Sequence, residues 1–140
     1  MSDDVAYIAL GSNLGDRDAM LARARKALGH VKGIRVLRAT EVEETEPIGP
    51  VAQGKFLNQM LAVETDLSPR ALLAALQRIE RAAGRLRTVR WGPRTLDMDI
   101  VLIEGVEFSN HVLTVPHPEL PNRDFWLRQL AELRGVSDGR

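Results

Sequence analysis

The alternation of extended and helical patterns along this 140-residue chain restricts it to few folds. Residues 5–10 form a short apolar run, and residues 16–28 then carry apolar side chains at helical spacing. Extended patterns follow at residues 34–46 and 56–65, on either side of a Pro- and Gly-containing loop. We expect these two segments to pair as antiparallel neighbours.

The second half of the chain repeats the alternation. Ser68-Pro69 predicts a helix start, because a hydroxyl cap is followed by proline in the first turn, and an apolar face continues to Gly84. Residues 95–103 alternate as a strand, Glu104-Gly105 predicts a tight turn, and residues 106–108 predict a short returning strand. A last helix is expected from about 124 to 133.

This order of elements predicts an α+β fold with a ferredoxin-like βαββαβ core. We expect an antiparallel sheet with both central helices packed on one face, plus a C-terminal helix. Without a linker or repeat in the sequence, residues 1–140 are interpreted as one domain.

Charge and composition exclude several classes of function. The 19 basic and 19 acidic residues balance, so no overall positive field would attract nucleic acid or an anionic membrane. The chain has no cysteine, which excludes disulfides and thiolate metal sites. No apolar run approaches the roughly 20 residues of a membrane span. We therefore expect a cytoplasmic protein with small-molecule substrates, no nucleic acid and no membrane.

Asp97 and Asp99 are the candidate metal ligands. Residues two apart in a strand project from the same face, so the two carboxylates can share a hard cation such as Mg²⁺, while Met98, Ile100 and Leu102 face the core. An Asp-x-Asp pair on an exposed strand is common, and by itself the motif favours an ordinary solvated face.

Arginines in the preceding stretch change this balance. Guanidinium groups bind phosphate oxygens in a bidentate manner, and a triphosphate with bound magnesium requires both signs of charge. The arginines are Arg78, Arg81, Arg85, Arg87, Arg90 and Arg94. Arg78 and Arg81 are equally compatible with a solvated helix face.

Other motifs are less specific by pattern alone. His117 lies between two prolines, which suits a loop donor to phosphate, and Trp91 stands beside Gly-Pro in a loop where a ligand can reach it. Gln77 and Glu80 share a helical face and read as surface residues that are able to meet a nucleotide edge. The run Gly11-Ser12-Asn13-Leu14-Gly15 lacks the pattern of a P-loop, and we interpret it as a tight turn.

Taken together, the motifs resemble those of the hydroxymethyl-dihydropterin pyrophosphokinases of folate biosynthesis. The specific run is Arg90-Trp91-Gly92-Pro93-Arg94-Thr95-Leu96-Asp97-Met98-Asp99. The similarity also covers residues 5–15, 45–50, 56–58, 77–80 and 115–117. Val112 departs from the family pattern, since some members carry arginine there.

The resemblance implies a nucleotide site. Asp97 and Asp99 would bind two Mg²⁺ ions that bridge the ATP phosphates. Arg85, Arg94 and His117 would contact the phosphates, with Arg87, Arg90 and Trp91 on a closing loop. Gln77, Glu80, Ile100 and Thr114 would line the nucleotide pocket. Arg123 is a further candidate phosphate contact.

The resemblance also implies a pterin site. The ring would lie between Phe56 and Phe125, with Trp91 from the loop nearby. Asn58 and the backbone around Thr45, Pro47, Ile48 and Gly49 would read its polar edge. The implied reaction is transfer of pyrophosphate from ATP to the hydroxymethyl group of a reduced pterin, with release of AMP.

Two alternatives remain open on the sequence. Ferredoxin-like sheets also occur as non-catalytic nucleic-acid-binding domains, although this chain has only 4% aromatic residues to stack on bases. Asp-x-Asp pairs also hold the nucleotide metal in nucleotidyl and glycosyl transferases, and the products would distinguish these from a pyrophosphokinase.

Overall fold

The computed structural model describes residues 4–47, 49–50, 53–84 and 96–136. Its strands are β1 (Asp4–Ser12), β2 (Ile34–Ala39), β3 (Glu43–Thr45), β4 (Phe56–Thr65), β5 (Asp97–Ile103), β6 (Phe108–Ser109) and β7 (Thr114–Val115). Its α-helices are α1 (Arg17–Gly29), α2 (Pro69–Ala82) and α3 (Asp124–Val136), and a 3-10 turn, Leu120–Asn122, precedes α3.

The main sheet has the strand order β2-β4-β1-β5, and every neighbouring pair is antiparallel. With α1 and α2 as the connections, this is the predicted ferredoxin-like βαββαβ core. The expected pairing of residues 34–46 with 56–65 is confirmed, but the first segment is two strands, because both β2 and β3 pair with β4. The break begins at Thr40, whose Oγ1 accepts a hydrogen bond from Met60 N at 3.0 Å.

Side-chain caps begin the two central helices where the sequence predicts. The carboxylate of Asp16 accepts a hydrogen bond from Ala19 N at 3.1 Å, and Ser68 Oγ accepts one from Ala71 N at 3.2 Å. Each bond satisfies an amide that the first helical turn leaves without a partner.

The sheet separates two apolar clusters. Leu21 and Leu28 of α1 and Leu72 and Leu76 of α2 pack with Ile8 on one face, as expected for two helices on the same side. We call this the helix-pair core. On the other face, α3 contributes Trp126, Leu130 and Leu133 to a smaller cluster that includes Tyr7, Ala9 and Met60, which we call the α3 core.

A β-bulge in β5 changes one sequence prediction. Ile8 pairs with Ile100 and Tyr7 with Leu102, so Val101 is an extra residue in the ladder. Met98 and Ile100 join the helix-pair core as expected, but Leu102 packs against the α3 core together with Val101. The prediction for Leu102 was wrong because strict alternation ends at the bulge.

The strand predicted at residues 106–108 is also corrected. Gly105 takes the left-handed conformation with φ of 73°, so the turn is present, but β6 does not return along β5. It pairs instead with β7, through Phe108–Val115 and Ser109–Thr114. Asn110 closes this hairpin, since its Oδ1 accepts hydrogen bonds from Val112 N and Leu113 N at 2.8 Å each.

None of the helices in the described part of the chain has both the length and the apolar character needed to span a membrane.

Candidate active site

The register of three strands brings the two halves of the site together. Gly11 on β1 pairs with Asn58 on β4 and with Asp97 on β5. Each step across a sheet is about 4.8 Å, which places Asn58 and Asp97 roughly 10 Å apart on the two sides of Gly11. The next row on this face joins Met60, Ala9 and Asp99. Both carboxylates therefore lie on the face that α3 partly covers.

Because Gly11 has no side chain, the side chains of Asn58 and Phe56 can lie close to its backbone on this face. A Cβ atom at Gly11 would stand 3.3 Å from Asn58 Oδ1 and 3.4 Å from the Phe56 ring, tighter than ordinary contact. A larger residue would therefore require the side chain of Asn58, which is predicted to bind the pterin, to shift. The first two residues of the Gly11-Ser12-Asn13 run belong to β1, so the interpretation of the whole run as a tight turn was wrong.

The residues predicted to bind the pterin lie along one edge of this face. Asn58 is 8% exposed, and its Nδ2 donates a hydrogen bond to Thr45 Oγ1 on β3. Phe56 is half-buried and pairs with Thr45 across the strands, and Pro47 and Gly49 follow β3. Ile48 lies outside the described residues.

Phe125 comes from a different element but the same face. It lies in the first turn of α3, partly buried against the α3 core, and its ring centroid is 6.3 Å from that of Trp126. Phe56 is on the same side of the sheet, since it alternates with Asn58 and Met60 along β4.

Backbone and side-chain bonds orient His117 toward the carboxylates. Its amide donates to Val101 O at 2.9 Å, so the bulge residue of β5 anchors it. Its Nδ1 accepts from Glu119 N at 3.0 Å, which leaves the proton of the neutral ring on Nε2. Nε2 lies 3.8 Å from Asp99 Oδ1. Burial, and then the Arg123 guanidinium, lower the pKa of His117 below its ordinary value, which favours the neutral ring.

A cleft runs along the open edge of β5, next to this site. Its volume is about 330 Å³, within the usual range for small-molecule sites. Its lining includes Asp99 and three residues that were predicted to contact the nucleotide: Ile100, Thr114 and His117. Val112, at the tip of the β6–β7 hairpin, also lines the cleft and is 56% exposed.

The two helical candidates differ in their surroundings. Gln77 is exposed on α2, whereas Glu80 is only 6% exposed. Glu80 Oε2 accepts a hydrogen bond at 2.7 Å from the amide of Met98, the residue between the two aspartates. Glu80 is therefore no surface residue, and its buried oxygen supports the strand that carries the aspartates.

Arg123 precedes α3 and stacks on Trp126, with its Cζ 4.3 Å from the ring centroid. Its guanidinium lies near His117, whose pKa it lowers. The remaining candidates, Arg85, Arg87, Arg90, Trp91 and Arg94, lie outside the described residues.

Sequence reasoning missed the roles of two residues of the site region, Asn13 and Trp126. Asn13 Nδ2 donates to Gln53 Oε1 at 2.6 Å and to Gly54 O at 3.0 Å, so it ties the end of β1 to the loop before Phe56. No local pattern identifies that contact. Trp126, 2% exposed, falls within a predicted helix and reads as an ordinary core residue.

The donor set fits magnesium. Within the described ranges no group of three or more His, Cys, Asp or Glu side chains is arranged to hold a metal ion. A pair of partly exposed carboxylates is nevertheless what Mg²⁺ uses when substrate phosphates and water complete its shell. The fold and site thus define a ferredoxin-like α+β domain with a carboxylate pair beside a cleft of small-molecule size.

Comparisons with known proteins agree with this description. The 7,8-dihydro-6-hydroxymethylpterin-pyrophosphokinase family, HPPK, matches residues 7–135. The 2-amino-4-hydroxy-6-hydroxymethyldihydropteridine pyrophosphokinase of Bacillus subtilis strain 168 is 43% identical over 131 residues, 94% of this chain and 78% of that enzyme. The Methylorubrum extorquens enzyme of the same name is 44% identical over 128 residues, 91% of this chain and 81% of that enzyme.

Solved structures support the fold. A crystal structure of an HPPK-DHPS in complex with substrates superposes with a TM-score of 0.67 at 13% identity, covering 94% of this chain. The chain spans only 40% of that longer protein. This chain belongs to the 7,8-dihydro-6-hydroxymethylpterin-pyrophosphokinase family. The predictions of fold class, family and enzyme class are confirmed.

Proposed function

We propose that this chain transfers pyrophosphate from ATP to the hydroxymethyl group of 6-hydroxymethyl-7,8-dihydropterin in folate synthesis. The observation that supports the proposed site is the strand pairing of Gly11. On one side it pairs with Asn58, the proposed pterin-binding amide, and on the other with Asp97, the proposed metal ligand. Family membership supports the reaction.

The pterin would bind at the Asn58 end of the row. Phe56 and Phe125, on the same side of the sheet, supply the aromatic faces that a flat heterocycle requires. Asn58, held by Thr45, offers both a donor and an acceptor to the ring edge. The backbone near Pro47 and Gly49 adds further polar groups, with Ile48 and Trp91 as predicted members of the same subsite.

The nucleotide would enter from the open edge of β5. The base would occupy the cleft beside Ile100 and Thr114, and the phosphates would extend toward Asp99. His117 and Arg123 lie at that end of the cleft, and Gln77 and Glu80, with Arg85, Arg87, Arg90 and Arg94, are the other predicted contacts. A neutral His117 can donate its Nε2 proton to a phosphate oxygen.

Asp97 and Asp99 would hold Mg²⁺, with two ions expected alongside ATP. Bound magnesium would neutralise phosphate charge as the transfer proceeds. The hydroxymethyl oxygen attacks the β-phosphorus, the bond from that phosphorus to the α-phosphate oxygen breaks, AMP leaves, and the hydroxyl proton passes to solvent. The chain's own contribution is to position the two substrates, which supplies much of the rate in reactions of this type.

The test is product analysis with matched variants. Protein, Mg²⁺, ATP and the pterin alcohol are expected to yield AMP and the pterin diphosphate, and chelation of Mg²⁺ should stop the reaction. Asp97→Asn and Asp99→Asn should each lower turnover by at least about 100-fold with the fold intact. Glu107→Gln, an exposed carboxylate outside the site, is the control.

Each outcome addresses one part of the proposal. ATP binding without AMP formation would refute the reaction, and ADP or free pyrophosphate as the product would favour a different transferase. Full turnover in either aspartate variant would refute the metal assignment.

A further inference from the structure

Trp126 joins two basic residues at the nucleotide end of the site. Its indole is 2% exposed and belongs to the α3 core. The Cζ atom of Arg123 lies 4.3 Å above its ring centroid. The edge of the ring system meets His117, with centroids 4.9 Å apart and planes at 83°. One buried side chain thus contacts both residues.

Arg123 depends on this stacking for its placement. Its Nε is buried and makes no hydrogen bond within the described part of the chain. No carboxylate ion pair with Arg123 is found among those residues either, so the contact that the structure provides for its guanidinium is the indole face. A cation over an aromatic face is attracted by the ring quadrupole, more strongly when both are desolvated.

His117 has its backbone held by Val101 O and its Nδ1 held by Glu119 N. The first bond holds the backbone and the second holds the ring, and the Trp126 contact limits the remaining freedom of the ring. The result is that Nε2 faces Asp99 Oδ1 at 3.8 Å. Arg123 and His117 lie on the same indole, so a change in Trp126 would alter both.

We propose that Trp126 is a positioning residue for the nucleotide: it holds Arg123 next to His117, whose Nε2 faces Asp99, so that both basic residues can meet the phosphates together. The inference rests on the proposed ATP site. Trp126, a core residue of α3, would then contribute to the affinity for the triphosphate. Side chains that are already ordered before ATP binds lose less conformational entropy on binding.

The experiment measures Mg²⁺-ATP affinity by calorimetry for the intact protein and three variants. Trp126→Leu keeps an apolar side chain but removes the aromatic face, and it should weaken ATP binding about tenfold. Trp126→Phe keeps a smaller aromatic face, which attracts a cation less strongly than indole does, and it should bind ATP about two- to threefold more weakly than the parent. Leu133→Ala is the control, because Leu133 is 2% exposed in the same cluster on the same helix but is a full two turns away.

Melting curves separate positioning from loss of stability. Both Trp126→Leu and Leu133→Ala are expected to lower the melting temperature, but only the first should weaken ATP binding. Equal ATP affinities in these two variants would overturn the inference. If Trp126→Leu does not fold, Trp126→Phe decides: affinity at least twofold below the parent supports the inference, and unchanged affinity contradicts it.

A double-mutant cycle tests whether Trp126 acts through Arg123. Combined with Arg123→Ala, the change Trp126→Leu should cost much less affinity than it does alone, because the stacked partner is already missing. Full additivity would overturn the inference. These are binding measurements, so they remain decisive if the parent protein binds ATP but forms no AMP, an outcome that refutes only the proposed reaction.

Discussion

Tyr7, the one tyrosine of the chain, shows how a single buried hydroxyl links three elements. Its OH donates to Glu104 Oε2 at 3.1 Å, and Arg134 of α3 binds both oxygens of the same carboxylate at 2.8 and 2.9 Å. Burial, followed by the Glu104 carboxylate, raises the pKa of Tyr7 above its ordinary value of 10.0.

The raised pKa predicts a loss of stability in alkali. Because the folded protein keeps the phenol proton to higher pH than the unfolded chain, this contribution is complete below pH 10.0 and is lost as the pH rises through the folded pKa. The free energy of unfolding of the parent should therefore fall more steeply in alkali than that of Tyr7→Phe.

Phenolate absorbance measures this directly, since only one tyrosine contributes. The native protein should titrate at higher pH than the same protein unfolded in denaturant. Coincident titrations would contradict the account given for Tyr7.

At the scale of elements, local periodicity predicted α1, α2, β1 and β4 well, because each buries an uninterrupted apolar face. It failed where the backbone leaves regular geometry. The bulge at Val101 and the β6–β7 hairpin depend on pairing partners that lie elsewhere in the chain. Glu80 shows the same limit of local patterns, because nothing in the sequence of α2 indicates that this side chain is buried against β5.

The contact between α2 and β5 leads to a prediction. Glu80→Ala leaves the buried amide of Met98 without this acceptor, and we expect a loss of about 1–3 kcal/mol in the free energy of unfolding. Turnover should fall as well, because Met98 lies between Asp97 and Asp99. Glu80→Gln keeps an acceptor oxygen and should retain most of the stability.

Denaturant unfolding and AMP formation test both parts. If Glu80→Ala is as stable as Glu80→Gln, the bond to Met98 does not hold the strand. If Glu80→Gln loses turnover while its stability is intact, the negative charge of Glu80 is needed for turnover. That result would indicate a direct contact between the Glu80 carboxylate and the nucleotide.

At the scale of the whole molecule, the sheet separates the larger apolar core from the face that carries the candidate site. The helix-pair core holds most of the large buried side chains, while the carboxylates and Asn58 lie on the face that carries the α3 core. Long-range pairing thus gives the site a rigid base, and residues from β1, β4, β5 and α3 meet there.

This division predicts different effects from two similar truncations. Leu76→Ala and Met60→Ala each remove a fully buried side chain and should each cost about 2–5 kcal/mol of stability. Only Met60→Ala should also weaken substrate binding, because Met60 lies in the row next to Asn58 and pairs with Ala9. Calorimetry well below the melting temperature checks this, and equal affinities in both variants would contradict it.

By itself, the sequence determined which residues are candidates for metal and phosphate binding, the Asp-x-Asp pair and the arginine-rich run before it. It also determined most helices and strands, through the spacing of their apolar residues. Those signals are local, because the type of each residue and the spacing of apolar residues are properties of short segments. Only the tertiary structure decided that Gly11 stands between Asn58 and Asp97, that Val101 anchors His117, and that Trp126 carries Arg123. These contacts depend on strand register and core packing, which are set by the whole set of buried side chains and not by any one segment.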